Sequence, residues 1–292
     1  MPNMRIVYDN AADRSTLTAS STAGNLTAAN LLTDIKSEVW RSIGTSATLT
    51  LAWPVAEMVG MVALPFCSLT ASATIRVRGY SDGGATLLFD TSTFYTASNG
   101  AAAGQTAVID KTAAPFVPPT IWDWGLVPLN VNSYAHAGAA TGAVWFAPYA
   151  VKTIRIDIYD ASNPLGYIEA GRIVVGNYWS PSYNAEVGVV LTAHDDSKHT
   201  RTDAGELRTD RGAQYKGVAL NLQLMPPADR NQLWNIVRGN GMARPVYLSL
   251  MPESTDSSEE QTFQFHGKLT KNAGLTYQFV GATSSQLELE EI

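Results

Sequence analysis

The sequence predicts a mainly β protein in two parts. Residues 1–176 read as a β-sandwich, and residues 177–292 as a β-sandwich or barrel with one flanking α-helix. Three observations lead there. Runs rich in Val, Ile, Thr and Tyr alternate apolar and polar residues with a period of two, which puts one face on a core and the other in water. Clusters of Gly, Ser, Asn and Pro separate those runs. One stretch carries helix signals at both ends. The length of 292 residues suits about two domains. A hydrophobic content of 45% is globular and not disordered.

The elements follow in order. Residues 47–53 alternate around Leu49 and Leu51. In 74–80, Ile75 and Val77 point one way and Arg76 and Arg78 the other; a turn at Ser81, Asp82, Gly83 and Gly84 follows. Residues 151–159 set Ile154, Ile156 and Ile158 against Arg155 and Asp157, and 167–175 give another strand. Between about 84 and 145 the pattern weakens into an Ala-, Gly- and Trp-rich insertion. A long irregular segment of this kind is usually functional or flexible. After Gly176 the texture changes, and 177–181 read as a linker. Strands are expected at 186–192 and 215–224, where Val218, Leu220, Leu222 and Leu224 alternate with Ala219, Asn221 and Gln223. Pro226 and Pro227 open a helix running to about Arg238, with Asp229 in its first turn and Gly239 as its stop. Leu233, Trp234 and Val237 supply its apolar stripe. Strands at 246–250, 262–269, 275–280 and 286–292 complete the chain.

Composition excludes several function classes. Lys and Arg total 20 against 26 Asp and Glu, a net charge of −6, which argues against a phosphate-binding surface as the main function. Residues 1–176 carry 10 basic and 12 acidic groups, net −2; residues 177–292 carry 10 and 14, net −4. The single cysteine, Cys67, excludes an internal disulfide and a Cys-ligated zinc or iron–sulfur site; at the end of an apolar run it reads as a buried small hydrophobe. That run, 59–67, is far too short to span a bilayer, and the N-terminal residues hold no apolar core of a secretory signal. No phosphate-cradling glycine motif, nucleophile elbow or zinc-protease motif is present. No catalysis and no cofactor are expected, although the many carboxylates leave a polysaccharide hydrolase open as a second alternative.

Three constellations stand out. His194, Asp195, Asp196 and His199 could ligate a divalent metal, but Lys198 and Arg201 repel a cation, and the segment reads as a solvated loop. Arg201, Asp203, Glu206, Arg208, Asp210 and Arg211 alternate in sign. They suit either an exposed hairpin with cross-strand ion pairs or a subunit–subunit contact, since a ring needs directional polar matching. Trp122, Asp123, Trp124 and Tyr134 gather aromatic faces with a carboxylate on the insertion. That combination suits a glycan or protein contact, or a plug in a local hydrophobic cluster.

Residues 30–42, with Asn30, Leu31, Trp40, Arg41 and Ser42, then an alternating strand, then 59–69 and 74–78, resemble the discoidin or galactose-binding-like β-sandwich. Trp40 is a natural plug for such a core, with Arg41 either snorkelling or pairing with Glu38. More specifically, the chain is similar to the version found in tail proteins of tailed bacteriophages and prophages. There a second domain begins near a Trp-x-Pro-Ser segment, here Trp179 to Ser182. It continues through strands such as 201–205 and 211–215 and ends in a Leu/Glu-rich strand, here 287–292. The second half looks like the ring-forming domain of distal-tail and tail-tube proteins.

The resemblance implies a virion component at or near the tail tip, made in the cytoplasm of a bacterial host. Its C-terminal part would form a ring of copies, a trimer or hexamer, through which DNA passes. Its outward sandwich would hold tail-tube, hub or fibre proteins, or touch host surface glycan. The alternative is a carbohydrate-binding module that recognises cell-surface glycan.

Overall fold

The computed structural model describes residues 3–70, 73–91, 140–210, 212–252, 262–279 and 281–292. The protein is mainly β, and its described residues form two large sheets and a separate two-stranded ribbon. Among the described residues no helix is long and apolar enough to cross a membrane.

The first sheet has eight strands. They are β2 (Thr16–Ala19), β3 (Trp40–Arg41), β4 (Ser46–Cys67), β5 (Thr74–Tyr80), β6 (Leu87–Asp90), β7 (Ala140–Tyr159), β8 (Glu169–Ala170) and β9 (Val174–Gly176). Their order is β3-β8-β4-β7-β5-β6, with β2 and β9 also on β4. The strand expected at 47–53 does not stop there: β4 runs for 22 residues and pairs with the 20-residue β7 along its length. The ladder between them slips from Ala52 to Glu57 and again from Val59 to Met61. Pro54 and Pro148 sit at these two breaks, where a missing N–H interrupts pairing and lets a strand bend. The bend folds one sheet into two layers. Leu49, Leu51, Ile154 and Ile156 pack in one core with Val62, Leu64, Val144, Ile173 and Trp40.

Trp40 is fully buried there, and its indole N–H donates to Ser21 O at 3.1 Å. Of the two roles open to it, Arg41 does not take the pairing with Glu38. It donates to Glu169 Oε2 at 2.6 Å and lies 4.3 Å over the Tyr167 ring, because β3 pairs with β8 and brings Glu169 opposite. In the β5–β6 turn, Asp82 accepts backbone N–H bonds from Gly84, Ala85 and Thr86. Those bonds, first among them Thr86, lower its carboxyl to about 2. Cys67 is buried, and desolvation pushes its thiol up to about 12, so it stays a protonated, inert packing group.

The second sheet has seven strands in the order β1-β14-β15-β17-β13-β10, with β16 beside β17. These are β1 (Arg5–Val7), β10 (Val190–Asp195), β13 (Gln214–Met225), β14 (Val246–Ser249), β15 (Gln264–Leu269), β16 (Leu275–Phe279) and β17 (Ala282–Glu291). β1 comes from the N-terminus and pairs with β14. The helix α1 (Pro227–Asn240) covers one face, packing Leu233 and Val237 on Leu220, Leu222, Leu248, Leu287 and Leu289.

The other face meets the sandwich. Val7 and Tyr247 pack against Met61, Ala63, Ala143, Trp145 and Val174. The 59–67 end of β4 is therefore buried on both sides, which explains why it reads as a continuous apolar run instead of an alternation. Arg5 lies 4.4 Å from the Tyr178 ring and 5.2 Å from that of Trp145 at the same junction.

Candidate functional site

β10 is the edge strand of the second sheet, and beyond it the chain continues outward. β11 (Lys198–Arg201) and β12 (Leu207–Asp210) pair with each other, in register Lys198 with Asp210 through Arg201 with Leu207. They extend the hairpin of β10 and β13, whose last pair is Asp195 with Gln214. The segment expected as a solvated loop around Asp195 and His199 is thus mostly strand. Alternating Thr and charged residues suit a pleated ribbon with water on both sides.

All eight strand residues of the ribbon are exposed. Its tip is a tight turn: Thr202 N–H donates to Glu206 O at 2.9 Å, and Gly205 N–H donates to Thr202 O at 2.8 Å. Gly205 takes φ +83, a left-handed conformation that suits glycine. Arg201 Nη1 donates to Gly205 O at 3.0 Å and braces the turn from the side. From Asp195 to the tip the ribbon reaches about 25 Å, at roughly 3.3 Å per residue. A two-stranded hairpin with no buried face is marginal in water.

The structure brings Arg201, Asp203, Glu206, Arg208 and Asp210 together on this ribbon; Arg211 lies outside the described residues. Cross-strand contacts are hydrogen bonds, His199 Nδ1 to Thr209 Oγ1 at 3.0 Å and, at the base, Gln214 Nε2 to Asp195 Oδ2 at 2.8 Å. No ion pair joins its strands among the described residues, in contrast to the cross-strand pairs expected of a hairpin. His194 stacks on Tyr215 at 5.0 Å, and no metal-binding cluster of His, Cys, Asp or Glu occurs among the described residues. Trp122, Asp123, Trp124 and Tyr134 lie outside the described residues.

Where the ribbon leaves the sheet, two backbones nearly touch. A Cβ on Gly212 would lie 2.3 Å from the Asp196 carbonyl carbon. Gly212→Val is therefore expected to splay the ribbon from its base while leaving both cores intact. The check is trypsin cleavage at Lys198, Arg201 and Arg208, expected on the order of tenfold faster than in the parent at an unchanged melting temperature.

Two features escaped sequence reasoning. Trp234 is not part of the buried stripe of α1: Leu233, Ile236, Val237 and Asn240 face inward, and Trp234 is 48% exposed. It sits one residue, about 100°, off that stripe, and only helix phase could have revealed it. The second is a polar cluster at the junction of the two sheets. Arg172 is buried and donates to Asp13 Oδ2 at 3.1 Å; Asp34 lies 3.3 Å from Arg172 and 3.2 Å from Lys268. Lys36 lies 4.3 Å over Phe66, and its amine is lowered by burial, against the charge of Glu291. His266 is 4% exposed, and neither ring nitrogen makes a hydrogen bond. Burial first, then the charges of Arg172, Lys36 and Lys268, lower its imidazole to about 3, so it is neutral at physiological pH. These contacts tie the sandwich to the second sheet.

No family model and no curated protein matches the chain. Among solved structures it is similar to chitosan-binding module 1 of a chitosanase/glucanase from Paenibacillus sp. IK-5, at 15% identity and a TM-score of 0.36 over 58% of this chain and 99% of that one. It is also similar to the module CpGH89CBM32-5 of Clostridium perfringens in complex with GalNAc-β-1,3-galactose (9% identity, TM-score 0.36, 58% of this chain and 100% of the other). A third is a pectin-binding carbohydrate-binding module (14% identity, TM-score 0.33, 56% and 89%).

Proposed function

We propose that the chain is a structural subunit at or near the distal end of a phage-type tail, in the virion. In this reading its C-terminal half assembles copies into a ring, and its sandwich faces outward to hold tip or fibre proteins. The single observation that carries this is the ribbon: β11 and β12 project from an open sheet edge and bury nothing in the isolated chain. A projecting β-ribbon with directional polar groups fits a head-to-tail contact between copies, the contact type that closes rings. The net charge of −4 over residues 177–292 would keep a lumen lined by this half from holding DNA as it passes. The role needs neither catalysis nor a cofactor.

A second reading, recognition of host glycan by the sandwich, draws on one end of that sandwich. There the Arg41 guanidinium covers the half-buried Tyr167 ring beside Glu169, an aromatic face next to charged hydrogen-bonding groups. Light scattering of the purified chain over a range of concentrations separates the two. A trimer or hexamer is expected. A monomer at every concentration that binds glycan in a screen, and loses that binding in Tyr167→Ala, would replace the assembly reading with the glycan one.

A further inference from the structure

The outer face of α1 carries a ridge spaced by four residues: Arg230, Trp234 and Arg238. Residues four apart stack along one line of a helix, so the ridge spans about 12 Å. Trp234 is 48% exposed. Arg238 is exposed, and Arg230 donates to Asn231 Oδ1 at 3.0 Å. Neither guanidinium is in an ion pair among the described residues. The only carboxylate of the helix, Asp229, is buried and accepts the Ser182 N–H at 2.7 Å. A chain of net charge −6 thus presents one purely cationic ridge, with a Trp at its centre. Trp and Arg are the side chains that most often dominate protein interfaces.

The ribbon tip has the complementary chemistry. Its turn, 202–206, holds the exposed Asp203 and Glu206, with the Arg201 guanidinium turned onto Gly205 O at 3.0 Å and Arg208 after Leu207, which is 56% exposed. Two carboxylates beside an apolar side chain are the chemical counterpart of two guanidiniums flanking an indole. Within one chain Trp234, Arg238 and the carboxylates of the tip are exposed and Arg230 is half-buried, so the tip does not occupy the ridge.

We infer that the outer face of α1 is the receptor for the ribbon tip of a neighbouring copy. Arg230 and Arg238 receive the carboxylates of the neighbour's Asp203 and Glu206, and Trp234 covers its Leu207. The contact is heterologous, so each copy gives a ribbon and receives one, and repetition closes a ring. Charge pairing sets the register and speeds encounter, while the indole supplies the desolvated centre. This inference rests on the assembly reading above and names the surfaces that carry it.

The test measures mass by light scattering for the full chain, four surface variants and a chain without the ribbon, with circular dichroism as the folding control. Trp234→Ala is expected to weaken association by about 30-fold or more, the size of an interface hot spot. Arg230→Glu/Arg238→Glu and Asp203→Arg/Glu206→Arg are each expected to be folded monomers. Combining all four changes is expected to restore the oligomer, because every copy again has opposite charges on ridge and tip. If the ridge variants assemble like the parent while removal of the ribbon gives monomers, α1 is not the receptor and the inference fails, with the assembly reading intact. If the parent itself is monomeric at every concentration, the assembly reading fails with it.

Discussion

Trp40→Ala is expected to destabilise the sandwich by about 3–5 kcal/mol, the usual loss for a large aromatic truncated in a core. Trp40 has no exposed surface and stands on the two-residue β3, paired with Ala170 of β8. That strand is too short to hold by its own ladder. The indole anchors it by packing among Leu31, Ile168 and their neighbours and by its bond to Ser21 O. Truncation leaves a cavity and an unpaired carbonyl together. A domain is commonly stable by only 5–15 kcal/mol, so this is a large fraction of the total. The core under α1 is a separate cluster and shares no residue with that around Trp40. Thermal unfolding of the variant is therefore expected to split in two, the sandwich melting first. Trp40→Phe, which keeps most of the volume, should lose clearly less. A single unshifted transition in Trp40→Ala would contradict the core assignment.

His266 makes stability depend on pH. Its imidazole is lowered to about 3 in the folded chain against an ordinary value of 6.5. A base held neutral by the fold costs nothing above pH 6.5, where the unfolded chain is neutral too. Below that, the unfolded chain takes up a proton that the folded chain refuses, and stability falls until the pH passes the folded value. The expected loss from this group is about 2 kcal/mol at pH 5 and about 3 kcal/mol at pH 4. Groups around it do not remove the penalty, since Arg172, Lys36 and Lys268 all oppose a new positive charge. His266→Leu should flatten this part of the profile and leave stability at pH 8 equal or higher, because the ring nitrogens it removes are buried without hydrogen bonds. Denaturant midpoints from pH 8 to pH 4 measure this, and an unchanged acid slope in the variant would refute it.

Legibility in the sequence followed the range of the forces at work. β5 was readable because Ile75 and Val77 alternate with Arg76 and Arg78, a pattern that one face in water and one in the core writes directly. The start of α1 was readable from Pro227 and Asp229, which act within one turn. Longer-range facts left no local trace. Pro54 looks like a strand stop, yet β4 passes through it, because the buried stretches before and after its exposed segment both pair with β7. β1 pairs with a strand some 240 residues later, and no short window records that. The charged alternation at 201–210 marked the ribbon as exposed, but not that it stands clear of the sheet. Trp234 was assigned inward by its hydrophobicity; helix phase places it outward, and an outward Trp is the informative exception. The partner of Arg41 is not legible, because Glu38 is near in sequence whereas Glu169 is near only through the β3–β8 pairing.

The measurement that tests the central claim most directly compares the mass in solution of the full chain with that of a chain whose residues 198–210 are replaced by a two-residue Asn-Gly turn. The ribbon contributes to neither core, so the shortened chain is expected to keep its melting temperature. The full chain is expected to form a trimer or hexamer and the shortened chain to stay a folded monomer across the same concentrations. Equal masses for the two would contradict assembly through the ribbon.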